Sequence, residues 1–187
     1  MLYPKKLSSK KSNLLIKVLL SVSLIIAIIL TIINKLTTPE IHWAALVNSG
    51  IIYIWITVRY SIHKRTNIAG HVMIQAIAIS LLTTYIDYNL GFKGWSLDIS
   101  IPIIIMIANV TMLVLTIVSH KKYVRYAIYQ LIICIYSMIP IYFIQRELID
   151  NDILSYIAIG ISIVNFILTI ILSAKDVKEA VVRKFHM

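Results

Sequence analysis

Six long stretches of nearly continuous apolar residues run through the chain, separated by short polar connections. A helix needs about 20 apolar residues to cross a bilayer, whereas strands of a membrane barrel alternate apolar and polar residues over about 10. Backbone polar groups in lipid must also bond within the protein. The pattern therefore predicts an all-α bundle of six transmembrane helices, over about 14–33, 43–58, 68–86, 99–119, 124–144 and 153–174.

Two of these spans contain residues that disturb helices. The second span is short and is interrupted by Asn48 and Gly50. In the fifth span, Pro140 lacks a backbone N–H and can kink the helix.

The first span is longer than the roughly 7–15 apolar residues of a signal peptide core, so we expect an uncleaved helix.

The composition agrees with a membrane protein. Hydrophobic residues make up 59% of the 187 residues and charged residues 14%, against roughly 45–50% and about 25% in soluble domains. The net charge of +10 does not indicate nucleic-acid binding here, because basic residues of membrane proteins set orientation and contact anionic lipid.

The basic residues are distributed unevenly between the two sides. With the N-terminus inside, only Lys35, Lys93 and Arg146 of the 18 Lys and Arg residues lie outside. Basic residues concentrate in cytoplasmic loops, so we expect both termini to be cytoplasmic.

The two ends of the chain are basic. We predict a basic cytoplasmic segment at 1–12 and a basic amphipathic tail helix at 175–187, where Val177, Val181 and Phe185 form one apolar stripe. Such a helix can lie on anionic lipid at the inner face. A solvated helix end is the alternative.

The most distinctive polar stretch is "YIDYNLGFKGWSLD" at 85–98, between the third and fourth spans. Gly91 and Gly94 favour a compact turn, since glycine adopts backbone angles that other residues resist. Trp95 is suited to the headgroup layer. Ser96 or Asp98 is expected to cap the fourth helix.

Asp87 is the residue of this stretch that turn formation does not explain. A carboxylate at the edge of the hydrocarbon is costly unless it is paired, hydrated or neutralised, so it marks a candidate site. Its expected partner is Lys93, or a cation in an outward-facing pocket.

Polar residues inside the spans are few, and five of them are amides: Asn48, Gln75, Asn109, Gln130 and Asn165. Asn109 and Asn165 are predicted to face each other or to line a small cavity. Amides that bond between helices are the simpler interpretation, since such residues hold membrane bundles together.

Sequence motifs of enzymes are absent. The chain has no H-E-x-x-H or G-x-S-x-G motif, and its single cysteine, Cys134, lies in an apolar run without an obvious base. We therefore predict no catalytic residues, no metal site and no cofactor. No Asp, Glu, Arg or His lies at mid-span, which argues against a proton-coupled or ion-coupled pump.

The loop "YIDYNLGFKGWSLDISIPIII" and the ending "VVRKFHM" resemble an uncharacterised family of Firmicute membrane proteins. The resemblance covers residues 13–187 and implies six spans but no activity. Longer members carry an N-terminal zinc ribbon, but "MLYPKKLSSKK" has no cysteine, so no zinc site is implied here. The matching positions are Asp87, Gly91, Gly94, Trp95, Ser96, Leu97, Pro102, Arg183, Lys184, Phe185 and His186.

The leading functional hypothesis is a non-enzymatic accessory, sensor or immunity-type protein in the plasma membrane of a low-GC, Gram-positive bacterium. Its partners would be anionic lipid and a second membrane protein or another copy of the chain. The alternative is a small permease with a site among Asp87, Asn109, Gln130 and Asn165. A membrane enzyme ranks third.

Overall fold

The computed structural model describes residues 5–63, 67–118, 123–149 and 152–185, with side chains described for 14–62, 67–118, 126–149, 152–172 and 174. In these segments the ordered secondary structure is entirely helical. The helices are α1 (Lys5–Thr37), α2 (Trp43–His63), α3 (Ile68–Asn89), α4 (Ile101–Val118), α5 (Tyr123–Ser137), α6 (Ile139–Gln145) and α7 (Ile153–Phe185), and a π-helical segment, Ser96–Ser100, leads into α4.

Six helices in the described residues are long and apolar enough to cross a bilayer, which confirms the all-α fold and the expected number of helices of membrane-spanning length. They are Leu14–Thr37, Trp43–Ile62, Ile68–Asn89, Ser96–Val118, Tyr126–Gln145 and Ile153–Leu172. The apolar stripe expected at 175–187 and the basic side chains at 1–12 lie outside the described side chains.

The second span is longer than expected because its polar residues are accommodated. Residues 43–63 form one helix despite Asn48 and Gly50. The Asn48 Nδ2 donates to Thr31 Oγ1 on α1 at 3.0 Å, so the amide joins two helices instead of ending one.

The fifth span is interrupted where Pro140 predicts a kink. α5 ends at Ser137 and α6 begins at Ile139, with Met138 in a turn between them. Pro140 has no N–H to donate to the preceding turn. The Ser137 hydroxyl is buried and donates to the Cys134 carbonyl at 2.7 Å.

Two compact units make up the chain, residues 1–58 and 59–187. In the first unit, α1 and α2 are joined by Asn48 and by Trp55, whose Nε1 donates to Ser23 Oγ at 2.7 Å. In the second unit, α4 packs against α3, α5 and α7.

The interior of the second unit combines many small and polar side chains with large apolar ones such as Ile105, Met112 and Ile133, while many other large aliphatic side chains are exposed. On α7 the buried face contains small or polar residues at helical spacing: Ser155, Ala158, Ser162, Asn165 and Thr169. Its exposed face contains Ile157, Val164 and Ile171. This distribution is typical of helix bundles in lipid, where small residues allow close approach and polar side chains bond between helices.

Candidate functional site: the α3–α4 loop and the amide cluster

The Asp87 carboxylate is fully buried at the end of α3 and holds the following loop from inside. Asp87 Oδ1 accepts from the Lys93 backbone N–H at 3.0 Å. Asp87 Oδ2 accepts from the Ser96 N–H at 3.2 Å and the Ser96 hydroxyl at 2.8 Å. Hydrogen bonds to a carboxylate are stronger than those between neutral groups. The Asp87 side chain therefore holds the following nine residues, as far as Ser96, in a closed loop.

The backbone of the loop takes a conformation that directs these donors towards Asp87. Gly91 has φ +95°, Phe92 +42° and Gly94 +79°, which places three residues of a four-residue stretch at positive φ. The Phe92 N–H donates to the Asp87 carbonyl at 2.9 Å. The compact turn predicted from Gly91 and Gly94 is therefore present, and its closure depends on both the side chain and the carbonyl of Asp87.

The structure corrects two sequence predictions about this loop. Lys93 contacts Asp87 through its backbone N–H, and its side chain is exposed. Ser96 does not cap the helix, because the helical segment begins after Trp95 without a side-chain cap. The Ser96 hydroxyl bonds to Asp87, while Asp98 lies half-buried in the first turn of the π-helical segment.

The loop exposes a group of apolar and aromatic side chains beside one cation. Tyr88 is 72% exposed, Leu90 56% and Phe92 40%, and Lys93 is also exposed. Trp95 is half-buried. Asp87, which the sequence marks as a candidate site, is thus buried, and the outward surface of the loop is chiefly apolar.

The second cluster consists of amides between α4, α5 and α7. Asn109 is fully buried, and its Nδ2 donates to Ser162 Oγ at 2.7 Å and to the Ile105 carbonyl at 2.9 Å. Asn109 Oδ1 accepts from Gln130 Nε2 at 2.5 Å. Asn165 Nδ2 donates to the Asn109 carbonyl at 3.1 Å. We call Asn109, Gln130, Ser162 and Asn165 the amide cluster.

The amide cluster brings together Asn109 and Asn165, as the sequence suggested, and adds Gln130 and Ser162. Asn109 is the common member, because Gln130, Ser162 and Asn165 each bond to it. Asp87 has its own set of partners in the α3–α4 loop. The residues proposed for a permease site therefore fall into two hydrogen-bonded groups.

Three polar residues that sequence reasoning left aside have structural roles. Asn34 closes the α1–α2 loop, because its Oδ1 accepts from the Ala44 N–H at 3.0 Å and its Nδ2 donates to the Ile41 carbonyl at 2.6 Å. Ser162 completes the amide cluster, and its helical spacing to Asn165 was an available signal. Asn67 caps α3, since its Oδ1 accepts from the Gly70 N–H at 3.3 Å.

Candidate metal ligands do not converge in the described part of the chain. No group of three His, Cys, Asp or Glu side chains there is placed to hold an ion. His71 contacts the Tyr60 ring edge-on at 4.8 Å, and Cys134 is buried.

Among the described residues, these features define an all-α protein with six helices long and apolar enough to cross a membrane, a loop closed by a buried carboxylate and an amide cluster between helices. The chain belongs to the family of unknown function DUF6320, which matches residues 3–187. Neither a curated protein nor a solved structure matches the chain. Its function must therefore be argued from the two sites.

Proposed function

We propose that the protein is a non-enzymatic accessory, sensor or immunity-type protein of a bacterial plasma membrane, with both termini in the cytoplasm. It acts by presenting the α3–α4 loop on the outer side to a partner protein or a specific lipid. The orientation is supported by the basic residues, all but three of which lie on the cytoplasmic side in this arrangement.

The observation that carries the proposal is the conformation of Phe92. Its φ of +42° places a bulky side chain in the left-handed region, which costs roughly 1–3 kcal/mol. The ring is nevertheless 40% exposed and so recovers only part of that cost by packing. A strained residue kept at an exposed position is typical of sites that bind, because the surrounding structure holds the side chain ready for contact.

The role of Asp87 supports the same interpretation. Its two carboxylate oxygens accept three hydrogen bonds from the loop. A carboxylate committed in this way is a positioning group rather than an acid, a base or a metal ligand. It keeps Tyr88, Leu90 and Phe92 in a fixed arrangement, which lowers the entropy cost of binding a partner.

Co-purification with a loop variant tests this function. Phe92→Gly removes the ring at a position where glycine is unstrained, so the loop keeps its backbone. We expect a specific protein or lipid to accompany the unmodified chain in mild detergent and to decrease at least fivefold with Phe92→Gly. An equally exposed apolar residue of α7, Leu168 at 41%, provides the control variant Leu168→Ala. Recovery of the same associated molecules with all three proteins would contradict the proposal.

A small permease is the second candidate, and the amide cluster favours it. Gln130 is 1% exposed, and its Oε1 has no hydrogen-bond partner in the described structure. A polar side chain with unused bonding capacity inside a span is a feature of transport paths. Uptake of small solutes into proteoliposomes, compared between the unmodified chain and Asn109→Leu, tests this candidate; equal fluxes would count against it.

A further inference from the structure

Gln130 is the member of the amide cluster whose hydrogen bonding is incomplete. The side chain lies on α5, and only 1% of its surface is exposed. Its Nε2 donates to Asn109 Oδ1 at 2.5 Å, while its Oε1 has no donor among the described residues. A buried amide oxygen without a donor is unfavourable, because it has lost water and gained nothing in exchange.

The neighbouring amides direct their bonds elsewhere. Both Nδ2 hydrogens of Asn109 have acceptors, the Ile105 carbonyl and Ser162 Oγ. Asn165 Nδ2 lies 3.1 Å from the Asn109 carbonyl and 3.5 Å from Asn109 Oδ1. The amide donors of Asn109 and Asn165 thus have acceptors elsewhere, and no described donor, the Ser162 hydroxyl included, bonds to Gln130 Oε1.

Rotating the Gln130 carboxamide does not give its oxygen a hydrogen-bond donor. A half-turn would exchange Nε2 and Oε1, which are hard to distinguish by shape alone. It would place Oε1 against Asn109 Oδ1, so that two acceptors face each other and an existing bond is lost. The donor must therefore come from outside the cluster.

We propose that the amide cluster is a binding site for one water molecule, which donates a hydrogen bond to Gln130 Oε1. A buried water typically makes about two to four hydrogen bonds. The second Nε2 hydrogen of Gln130 and the Ser162 hydroxyl are further polar groups of the cluster with which it can bond. This inference rests on the cluster alone and is independent of the proposed function.

A monovalent cation is the competing ligand, and the chemistry of the cluster disfavours it. Its members are three amides and a hydroxyl, none of which carries a negative charge. A cation in such a site would be buried without a counter-charge, which costs far more than holding a neutral water. Water satisfies the same oxygen without bringing a charge into the span.

Water-edited solid-state NMR of the full chain in liposomes tests the proposal. The chain contains three glutamines, Gln75, Gln130 and Gln145, so glutamine labelled with 13C gives three carboxamide signals. Gln145 is exposed and serves as the hydrated reference. Gln145→Glu and Gln75→Leu assign two of the signals, which leaves the third to Gln130. Labelled alanine supplies the dry reference, through the methyl groups of Ala108 and Ala158, which are 4% and 1% exposed.

We expect polarisation from water to reach the Gln130 carboxamide within about threefold of the time needed at Gln145, and well before it reaches the methyl groups of Ala108 and Ala158. Arrival at Gln130 no earlier than at these methyl groups would overturn the proposal. Exchanging Na⁺ for K⁺ or choline should leave the Gln130 chemical shift unchanged. A shift that depends on Na⁺ would identify a cation in place of the water and would also overturn it.

Discussion

The Ser96 hydroxyl lies 2.8 Å from the Asp87 carboxylate, and both residues are fully buried. They are nine positions apart, at the end of α3 and the start of the π-helical segment that leads into α4. Because the Lys93 and Ser96 N–H groups converge on the same carboxylate, Asp87 joins two membrane-length helices through the loop between them.

We expect Asp87→Asn to destabilise the protein by about 2–3 kcal/mol, since an amide presents N–H groups where the carboxylate accepts from three donors. Ser96→Ala should cost about 1 kcal/mol, because one bond is lost and the Ser96 N–H still reaches the carboxylate. Thermal unfolding in detergent measures both. Lys93→Gln is the decisive control: it keeps the backbone N–H, so a change below about 0.5 kcal/mol is expected. A loss equal to that of Asp87→Asn would show that the lysine charge is the partner.

The two loop glycines should tolerate alanine poorly. Gly91 and Gly94 have φ of +95° and +79°, and a residue with a Cβ pays roughly 1–2 kcal/mol in this region. Each change to alanine should lower stability by about that amount. Gly160 is the matched control, since it lies in α7 and a Cβ added there would meet no heavy atom within 4 Å. Gly160→Ala should raise stability by up to about 1 kcal/mol. Similar losses at all three positions would contradict the conformational argument.

The sequence predicts the number of spans well, because an apolar length of about 20 residues is a strong one-dimensional signal. It also points to Asp87 and to the glycine turn. It pairs Asp87 with the wrong part of Lys93, since sequence reasoning considers side chains, while two of the three donors here are backbone N–H groups. Their direction depends on the positive φ of Gly91 and Gly94, which is settled only when the loop closes.

Gly70 is tightly packed near the N-terminal end of α3, which the expected orientation places on the cytoplasmic side. A Cβ at Gly70 would overlap the Tyr60 hydroxyl and approach Asn67 Nδ2 to 2.7 Å. Gly70→Ala should therefore lower stability by about 1–3 kcal/mol, the usual cost of overpacking.

Removing the Tyr60 hydroxyl should reduce that cost. In the double variant Gly70→Ala with Tyr60→Phe, we expect a coupling energy of at least about 0.5 kcal/mol relative to the sum of the single changes. Thermal unfolding of the four proteins completes the cycle. Strict additivity would show that the overlap is relieved elsewhere, for example by Asn67.

Two substitutions in the amide cluster should differ in cost. Asn109→Leu removes the side-chain bonds to Gln130 and Ser162 but keeps the Asn109 carbonyl, to which Asn165 donates. Interhelical bonds in membranes contribute about 0.6 kcal/mol each, and the Gln130 amide is also left buried without its partner, so a loss of about 2 kcal/mol is expected. Gln130→Met removes the whole carboxamide, including the Oε1 that has no donor among the described residues, so it leaves no polar atom of residue 130 unsatisfied and should cost less than about 1 kcal/mol.

Unfolding in a detergent mixture compares these variants under one condition. Thr111→Val is the control, because the Thr111 hydroxyl donates to the Ile107 carbonyl of its own helix at 2.8 Å. It should change stability by less than about 0.5 kcal/mol. A larger loss for Gln130→Met than for Asn109→Leu would show that Gln130, not Asn109, is the centre of the cluster.

The orientation predicts which side of the membrane exposes the α3–α4 loop. The Lys93 side chain is exposed, and Cys134 is the single cysteine of the chain, so Cys134→Ser gives a background without thiols. In that background, Lys93→Cys should react with a membrane-impermeant thiol reagent added to whole cells. Arg59 is exposed near the C-terminal end of α2, which the predicted orientation places on the cytoplasmic side. Arg59→Cys should therefore react only after lysis. The reverse pattern would place both termini outside and the loop in the cytoplasm, where its partner would then have to be sought.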